Sequence, residues 1–406
     1  MKLVPIKAVQ TLEKMINILE EVDEAYFTAK QSALALFVNI GNLLAGLSIS
    51  SAFEQLKTHS WIFRVYPQIL GTRGILTGIF SARTSTGLHL GSIESNLRRN
   101  TWYFYSLVST MLILASFSAV IISILFFISS LYVSVEVYVV IYTTIATVSP
   151  FSLLFISLVA FQVFKRKLDP DILLYPTSSV LNDIVMSLVF VEIAKAVILW
   201  NTTFFVVLTI LFMALFSTLG FYMLYHREKT VFLTTLKEGG LALLIGVTIE
   251  LGTGFILSEL FRAREIAKIA VLYPVMLSVL GGSTSIIGSM LTTRISTGEF
   301  DFSTYSFKRF SQNILGLQIA SIAFHGVLSF IASYIVKTLT PFEFFTLSYL
   351  AHILGFIVMT PIVFLTAYIT HRKGLDPDNF INPIQSSVAD LVETVSILVV
   401  TRSLSL

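Results

Sequence analysis

Long apolar runs separated by short polar stretches recur along the chain at lengths suited to membrane helices, each of which needs about 20 mainly apolar residues. The pattern predicts spans over 32–53, 62–80, 103–128, 135–164, 176–199, 204–224, 240–260, 269–290, 314–336, 342–368 and 384–400. Small residues at Gly41, Ala45 and Gly46 in the first span, and at Gly71, Gly74 and Gly78 in the second, offer faces on which helices approach closely. The reading is an all-α polytopic membrane protein with about eleven transmembrane helices. Residues 1–31 carry no such run and read as a short cytoplasmic or interfacial segment without a secretory leader.

One polar stretch occurs twice. Leu168-Asp-Pro-Asp-Ile-Leu-Leu-Tyr-Pro-Thr-Ser-Ser-Val-Leu-Asn-Asp183 returns as Leu375-Asp-Pro-Asp-Asn-Phe-Ile-Asn-Pro-Ile-Gln-Ser-Ser-Val-Ala-Asp390, 207 positions later. At the same offset Leu34-Ala-Leu matches Leu241-Ala-Leu, Tyr66-Pro67 matches Tyr273-Pro274 and Gly74 matches Gly281. Arg83-Thr-Ser-Thr-Gly87 and Arg294-Ile-Ser-Thr-Gly298 match at 211, an insertion of about one helical turn. The expected organisation is a five-helix repeat over 32–201, a connecting helix and cytoplasmic loop over 202–236, and a second five-helix repeat over 237–406. A five-span unit ends on the side opposite its start, so the connecting span lets the second unit insert in the same orientation. The repeats are therefore expected to be parallel, about an axis along the membrane normal. Most Lys and Arg fall on the side of the N-terminus, which predicts a cytoplasmic N-terminus and an external C-terminus in a plasma (inner) membrane. Arg262, Arg264 and Lys268 run against that bias.

Charged residues make up 13% of the 406, about half the usual share of a soluble chain, and no stretch outside the spans is long enough for a sizeable folded domain. Cysteine is absent, which removes disulfides and thiolate chemistry. The net charge of +3 does not point to nucleic acid, because membrane proteins concentrate basic residues in cytoplasmic loops. Neither a Gly-Lys-Ser/Thr phosphate loop nor a zinc motif is present, and no nucleophile–base set stands out. A transporter or channel is expected, not an enzyme.

Acidic residues inside spans are costly unless they face water, polar protein groups or an ion. Asp183 and Asp390 each follow a proline by seven residues, about 10 Å along an ideal helix, so they are expected at matching depths on either side of a shared axis. Paired carboxylates suit a hard divalent cation, with Asn182 beside one of them and Glu393 as a further acid on a similar helix face. Asp169, Asp171, Asp376 and Asp378 are expected at the cytoplasmic mouth, and Thr177, Ser178, Ser179, Ser386 and Ser387 as hydroxyl donors or helix caps. The glycine-rich segments running from Pro67 through Gly71 to Gly74, and from Pro274 to Gly281 and Gly282, are expected to flank the same path. Glu250 has no acidic counterpart in the first half, Glu192 and Lys195 are spaced for a local ion pair, and His325 reads as a satisfied packing residue. Arg73 must be neutralised or point away from a cation path.

Taken together, Trp61-Ile-Phe63, Tyr66-Pro-Gln-Ile-Leu-Gly-Thr-Arg-Gly74, Arg83-Thr-Ser-Thr-Gly87, Gly281-Gly-Ser-Thr-Ser285, Arg294-Ile-Ser-Thr-Gly298 and the two Asp-Pro-Asp copies resemble the MgtE-type divalent-cation transporters, in particular the duplicated solute carrier family 41 branch. The resemblance implies a five-helix core fused in tandem, so that one chain forms the pseudo-dimeric unit. It implies Mg²⁺ as principal substrate, with Mn²⁺, Co²⁺ and Zn²⁺ as further candidates, and Asp183 and Asp390 as the pore carboxylates. The family's Asn beside its pore glycine is replaced here, with Ile75 and Ser283 at the nearest positions. Channel and Na⁺- or H⁺-coupled exchange both stay open. The competing readings are a coupled permease for another small solute and a non-transporting membrane receptor or assembly protein.

Overall fold

The computed structural model describes residues 23–30, 32–56, 59, 61–130, 134–166, 170–225, 229–262, 270–296, 298–337, 339–373 and 378–404. Among them the regular structure is helical throughout, with no strand. The first helix, α1, spans Asp23–Ser51, tightens to a 3-10 turn at Asn39–Asn42 and runs on through Leu43–Leu56. The others are α2 (Trp61–His89), α3 (Trp102–Ser130), α4 (Val135–Lys165), α5 (Pro170–Leu199), α6 (Thr202–Leu224), α7 (Lys229–Arg262), α8 (Tyr273–Ser296), α9 (Thr304–Val336), α10 (Pro341–Arg372) and α11 (Asp378–Leu404). Of these, eight are long and apolar enough to cross a membrane, while α2, α5 and α11 fall outside that group. The three exceptions carry Arg73, Asp183 and Asp390, and a bilayer tolerates such residues only where protein or water surrounds them. The molecule is thus a polytopic helical membrane protein with two repeats, whose matching segments lie on α2–α5 and α8–α11; α1–α5 and α7–α11 are called the first and second repeat below.

Helix starts follow from local chemistry. Asn201 caps α6 by accepting from the Phe204 amide at 3.2 Å. Thr340 and Glu343 form a reciprocal capping box on α10, where Pro341 sits at the first turn and loses no hydrogen bond. Pro150 and Pro361 interrupt the interiors of α4 and α10, 211 positions apart. α5 starts at Pro170, earlier than the expected position near Pro176, because the proline of the Asp-Pro-Asp triplet already supplies a helix-compatible φ. The expected Glu192–Lys195 pair forms at 3.0 Å.

The two repeats exchange their first helices. α1 packs on α5 of its own repeat and on α8 of the other, and α7 packs on α11 of its own repeat and on α2 and α3 of the other. Each seam is built in the same way. A Cβ at Gly46 on α1 would overlap the Val271 carbonyl, and a Cβ at Gly254 on α7 would overlap the Arg64 carbonyl; Arg64 and Val271 are repeat counterparts. The arginines of the two Arg-x-Ser-Thr-Gly segments close the seams. Arg294 on α8 lies 3.5 Å from Glu24 on α1, and Arg83 on α2 lies 2.6 Å from Glu238 on α7. Where Gly282 leaves room for Asn39 in one seam, Ile75 fills the space over Gly246 in the other, so side-chain size has been traded across equivalent positions.

Inside each repeat a buried hydroxyl pair ties the second helix to the fifth: Tyr66 to Ser187 at 2.8 Å and Tyr273 to Thr394 at 3.0 Å, both residues shifted by 207. The two pairs differ in their surroundings. Thr394 gives its proton to the Asp390 carbonyl at 2.7 Å, so it keeps a partner if Tyr273 is lost. Tyr66→Phe is expected to lower stability by about 1–2 kcal/mol and Tyr273→Phe by about 0.5–1 kcal/mol, because an orphaned buried hydroxyl costs more than a lost but replaceable bond. Thermal unfolding midpoints in detergent check the order.

Candidate functional site

The 3-10 turn of α1 carries two buried amides three residues apart, Asn39 and Asn42, and the tightened backbone aims them at different repeats. Asn39 Oδ1 accepts from Ser278 on α8 at 2.8 Å, and Asn42 Nδ2 donates to Asp183 Oδ2 on α5 at 3.3 Å. Beside this turn lies a cavity of about 130 Å³, room for several waters. Its wall comes from α1, α2, α5, α8 and α11, and includes Leu36, Asn39, Gly71, Arg73, Gly74, Ser179, Asp183, Pro274, Ser278, Gly281, Gly282, Ser285, Ser386 and Asp390. Both repeats thus present their fifth-helix aspartate to one chamber. Gly281 thins the wall, since a Cβ there would meet nothing within 4 Å.

The two aspartates sit in unlike surroundings. The Asp183 side chain is almost fully buried in an ion pair with Arg73, and Arg73 also donates to the Ser179 carbonyl and hydroxyl, both at 3.2 Å. The repeat counterpart of Arg73 is Leu280, so Asp390 has no such cation opposite it. Instead its carboxyl meets that of Glu250 from α7. Glu250 is fully buried, with the Thr253 hydroxyl and the Asp390 carboxyl beside it, and no cationic side chain pairs with it among the described residues. Gly71 is what admits it: a Cβ at that position would lie 2.7 Å from Glu250 Oε1.

The remaining sequence-derived residues scatter. Asn182 turns from the chamber toward Thr77, at 3.4 Å, and Pro67 is buried within α2 away from the cavity wall. Ser283 is buried with its hydroxyl unpartnered and also lies off the wall. Glu393 faces Gly355 on α10, with both oxygens lacking a donor among the described residues. Asp169 and Asp376 lie outside the described residues, as do the side chains of Asp171, Thr177 and Asp378. His325 is buried but not satisfied: its ring packs 5.0 Å from that of His352, and none of the four ring nitrogens has a hydrogen-bond partner among the described residues. An isolated polar residue on an apolar helix face carries no signal of whether a partner helix will reach it.

Sequence reasoning passed over Asn39 and Asn42. Their three-residue spacing inside an otherwise apolar span was the available signal, because it places two amides on nearby faces of one helix.

Tandem helical repeats around a chamber walled by carboxylates, hydroxyls and glycines define a membrane protein of the cation-transporter class. A profile of the MgtE family, divalent cation transporters, matches residues 66–193 and again 273–400, and the chain belongs to this family. It is similar to solute carrier family 41 member 3 of Mus musculus, 23% identical over 397 residues that cover 88% of this chain and 79% of the mouse protein. Its likeness to solute carrier family 41 member 3 of Rattus norvegicus is 24% over 401 residues, covering 88% and 84%. No solved structure matches the chain. The protein is a divalent cation transporter and not an enzyme.

Proposed function

We propose that the chain moves Mg²⁺ across a plasma (inner) membrane through the chamber between its repeats, with Asp183 and Asp390 as the carboxylates that hold the partly hydrated ion. The observation carrying this reading is that aspartates 207 residues apart in sequence line one cavity of about 130 Å³. Among the described residues the wall offers oxygen donors and no thiol or imidazole, the donor set of a hard cation. Mg²⁺ gives up water reluctantly, so a few carboxylates with hydroxyls such as Ser278, Ser285 and Ser386 binding its water shell suit it better than a complete protein cage. One chain supplies both halves of the core, with the N-terminus cytoplasmic and the C-terminus external. Arg73 on Asp183 represents the pathway closed by an internal cation. Two buried acids without symmetric partners, Glu250 and Glu393, favour a second form of the reading, in which Na⁺ or H⁺ moves in exchange.

The test is ion flux into liposomes holding the purified chain, with Mg²⁺, Mn²⁺, Co²⁺, Zn²⁺ and Na⁺ varied separately. Saturable Mg²⁺ entry is expected. Entry that requires an opposing Na⁺ or proton gradient assigns exchange, entry without one assigns a channel, and no divalent entry under any gradient overturns the proposal.

A further inference from the structure

We infer that Glu250, which lies behind Gly71 against Asp390 and off the chamber wall, serves the cation as a third carboxylate, and that Arg73 and Glu250 are a compensating pair of charges that makes the site one-sided. The inference rests on the chamber being the cation path. A strictly duplicated site would hold two aspartates facing two leucine pairs, since Leu43 is the counterpart of Glu250 and Leu280 that of Arg73. Two carboxylates match the charge of one divalent ion. In this chain Arg73 cancels Asp183 from α2, and Glu250 adds a carboxylate beside Asp390 from α7. With the carboxylates ionised around a bound cation, the four groups again carry two net negative charges, now gathered on the Asp390 side.

Packing fits this role. Glu250 is fully buried without a cationic partner among the described residues, and it reaches Asp390 only because Gly71 on the chamber wall lacks a side chain. Two buried carboxyls side by side are costly as a pair of anions unless something positive is brought to them. Arg73 already sits on Asp183 and is held there by Ser179, so the positive charge that offsets Glu250 and Asp390 is a proton shared between them or, in its place, the transported ion. In the first repeat the place equivalent to Glu250 is the apolar Leu43, which leaves Asp183 to Arg73 and the Asn42 amide.

The experiment uses the full chain, with Mg²⁺ as the sole probe. Mg²⁺ affinity is read from the Mg²⁺-dependent rise in thermal stability in detergent, and Mg²⁺ entry from liposomes. Glu250→Leu and Glu250→Gln are each expected to weaken Mg²⁺ binding tenfold or more and to reduce entry by a similar factor. Arg73→Leu is expected to tighten binding about tenfold. The double variant Arg73→Leu/Glu250→Leu places the counterpart leucine at both positions and is expected to return affinity to within about threefold of the unsubstituted chain. A double variant as weak as Glu250→Leu alone, or a Glu250→Gln chain that binds as the unsubstituted one does, overturns the inference. Asp390→Asn separates the two levels. If it abolishes entry while the Glu250 variants change nothing, the one-sided site fails and the chamber stands; if Asp390→Asn also changes nothing, the chamber itself fails.

Discussion

Asp390→Asn is expected to reduce Mg²⁺ entry at least tenfold while leaving the protein folded. The substitution keeps the shape of the side chain and removes one negative charge from the chamber wall. A doubly charged ion about 5 Å from a carboxylate gains about 1.7 kcal/mol even at the dielectric constant of bulk water, and more where the pair is partly buried. About 1.4 kcal/mol corresponds to a tenfold change, so the loss of affinity reaches that factor on the weakest assumption. Folding is preserved because the new amide can donate to Glu250 in place of the carboxyl it replaces. Asp183→Asn is expected to reduce entry as strongly but to behave differently as a protein. It leaves Arg73 buried without its counter-charge, and breaking a buried pair from one side costs about 3–5 kcal/mol. Liposome flux together with unfolding midpoints separates the two variants. Equal stability of Asp183→Asn and the unsubstituted chain would contradict the ion pair.

Gly46→Ala and Gly254→Ala are expected to lose about 3 kcal/mol of stability each, the upper part of the usual range for overpacking. In both cases the added methyl would overlap a main-chain carbonyl of the opposite repeat, Val271 or Arg64. A side chain can rotate away from such a clash, whereas a carbonyl held between two helices moves only if the helices separate. Since these contacts join the repeats, their loss should appear as aggregation on size exclusion and a lowered unfolding midpoint. Gly326→Ala is the control. It lies within α9 with nothing within 4 Å of its would-be Cβ, so the gain in helix propensity, about 0.5–1 kcal/mol, should keep or raise stability. If Gly46→Ala melts with the control, the crossed seam of α1 is wrong.

Much of the helical layout was legible in the chain because a membrane span must satisfy its own backbone hydrogen bonds, which ties span length to run length. The repeat logic mattered where apolarity failed. α2, α5 and α11 fall outside the helices apolar enough to cross a membrane, yet their apolar runs at 62–80, 176–199 and 384–400 placed them among the spans, and the matches of Tyr66-Pro67 to Tyr273-Pro274 and of Asp183 to Asp390 agree with that. Pairings across helices were not legible. Arg73 could as well have pointed away from the path, and Asn182, adjacent to Asp183, faces Thr77 because neighbouring positions on a helix lie about 100° apart. Glu393, three residues past Asp390, turns toward α10 because Gly355 leaves space there.

By itself, the sequence determined that the chain is a twice-repeated helical membrane protein and which acidic residues occupy equivalent positions in the two copies, since periodicity and spacing are properties of each segment alone. Only the tertiary structure decided that the first helices change places, that Arg73 meets Asp183 and that Glu250 meets Asp390. Those meetings join residues more than a hundred positions apart on different helices. Which helices become neighbours is set by where glycines let backbones close together, and no local pattern of apolar and polar residues records that.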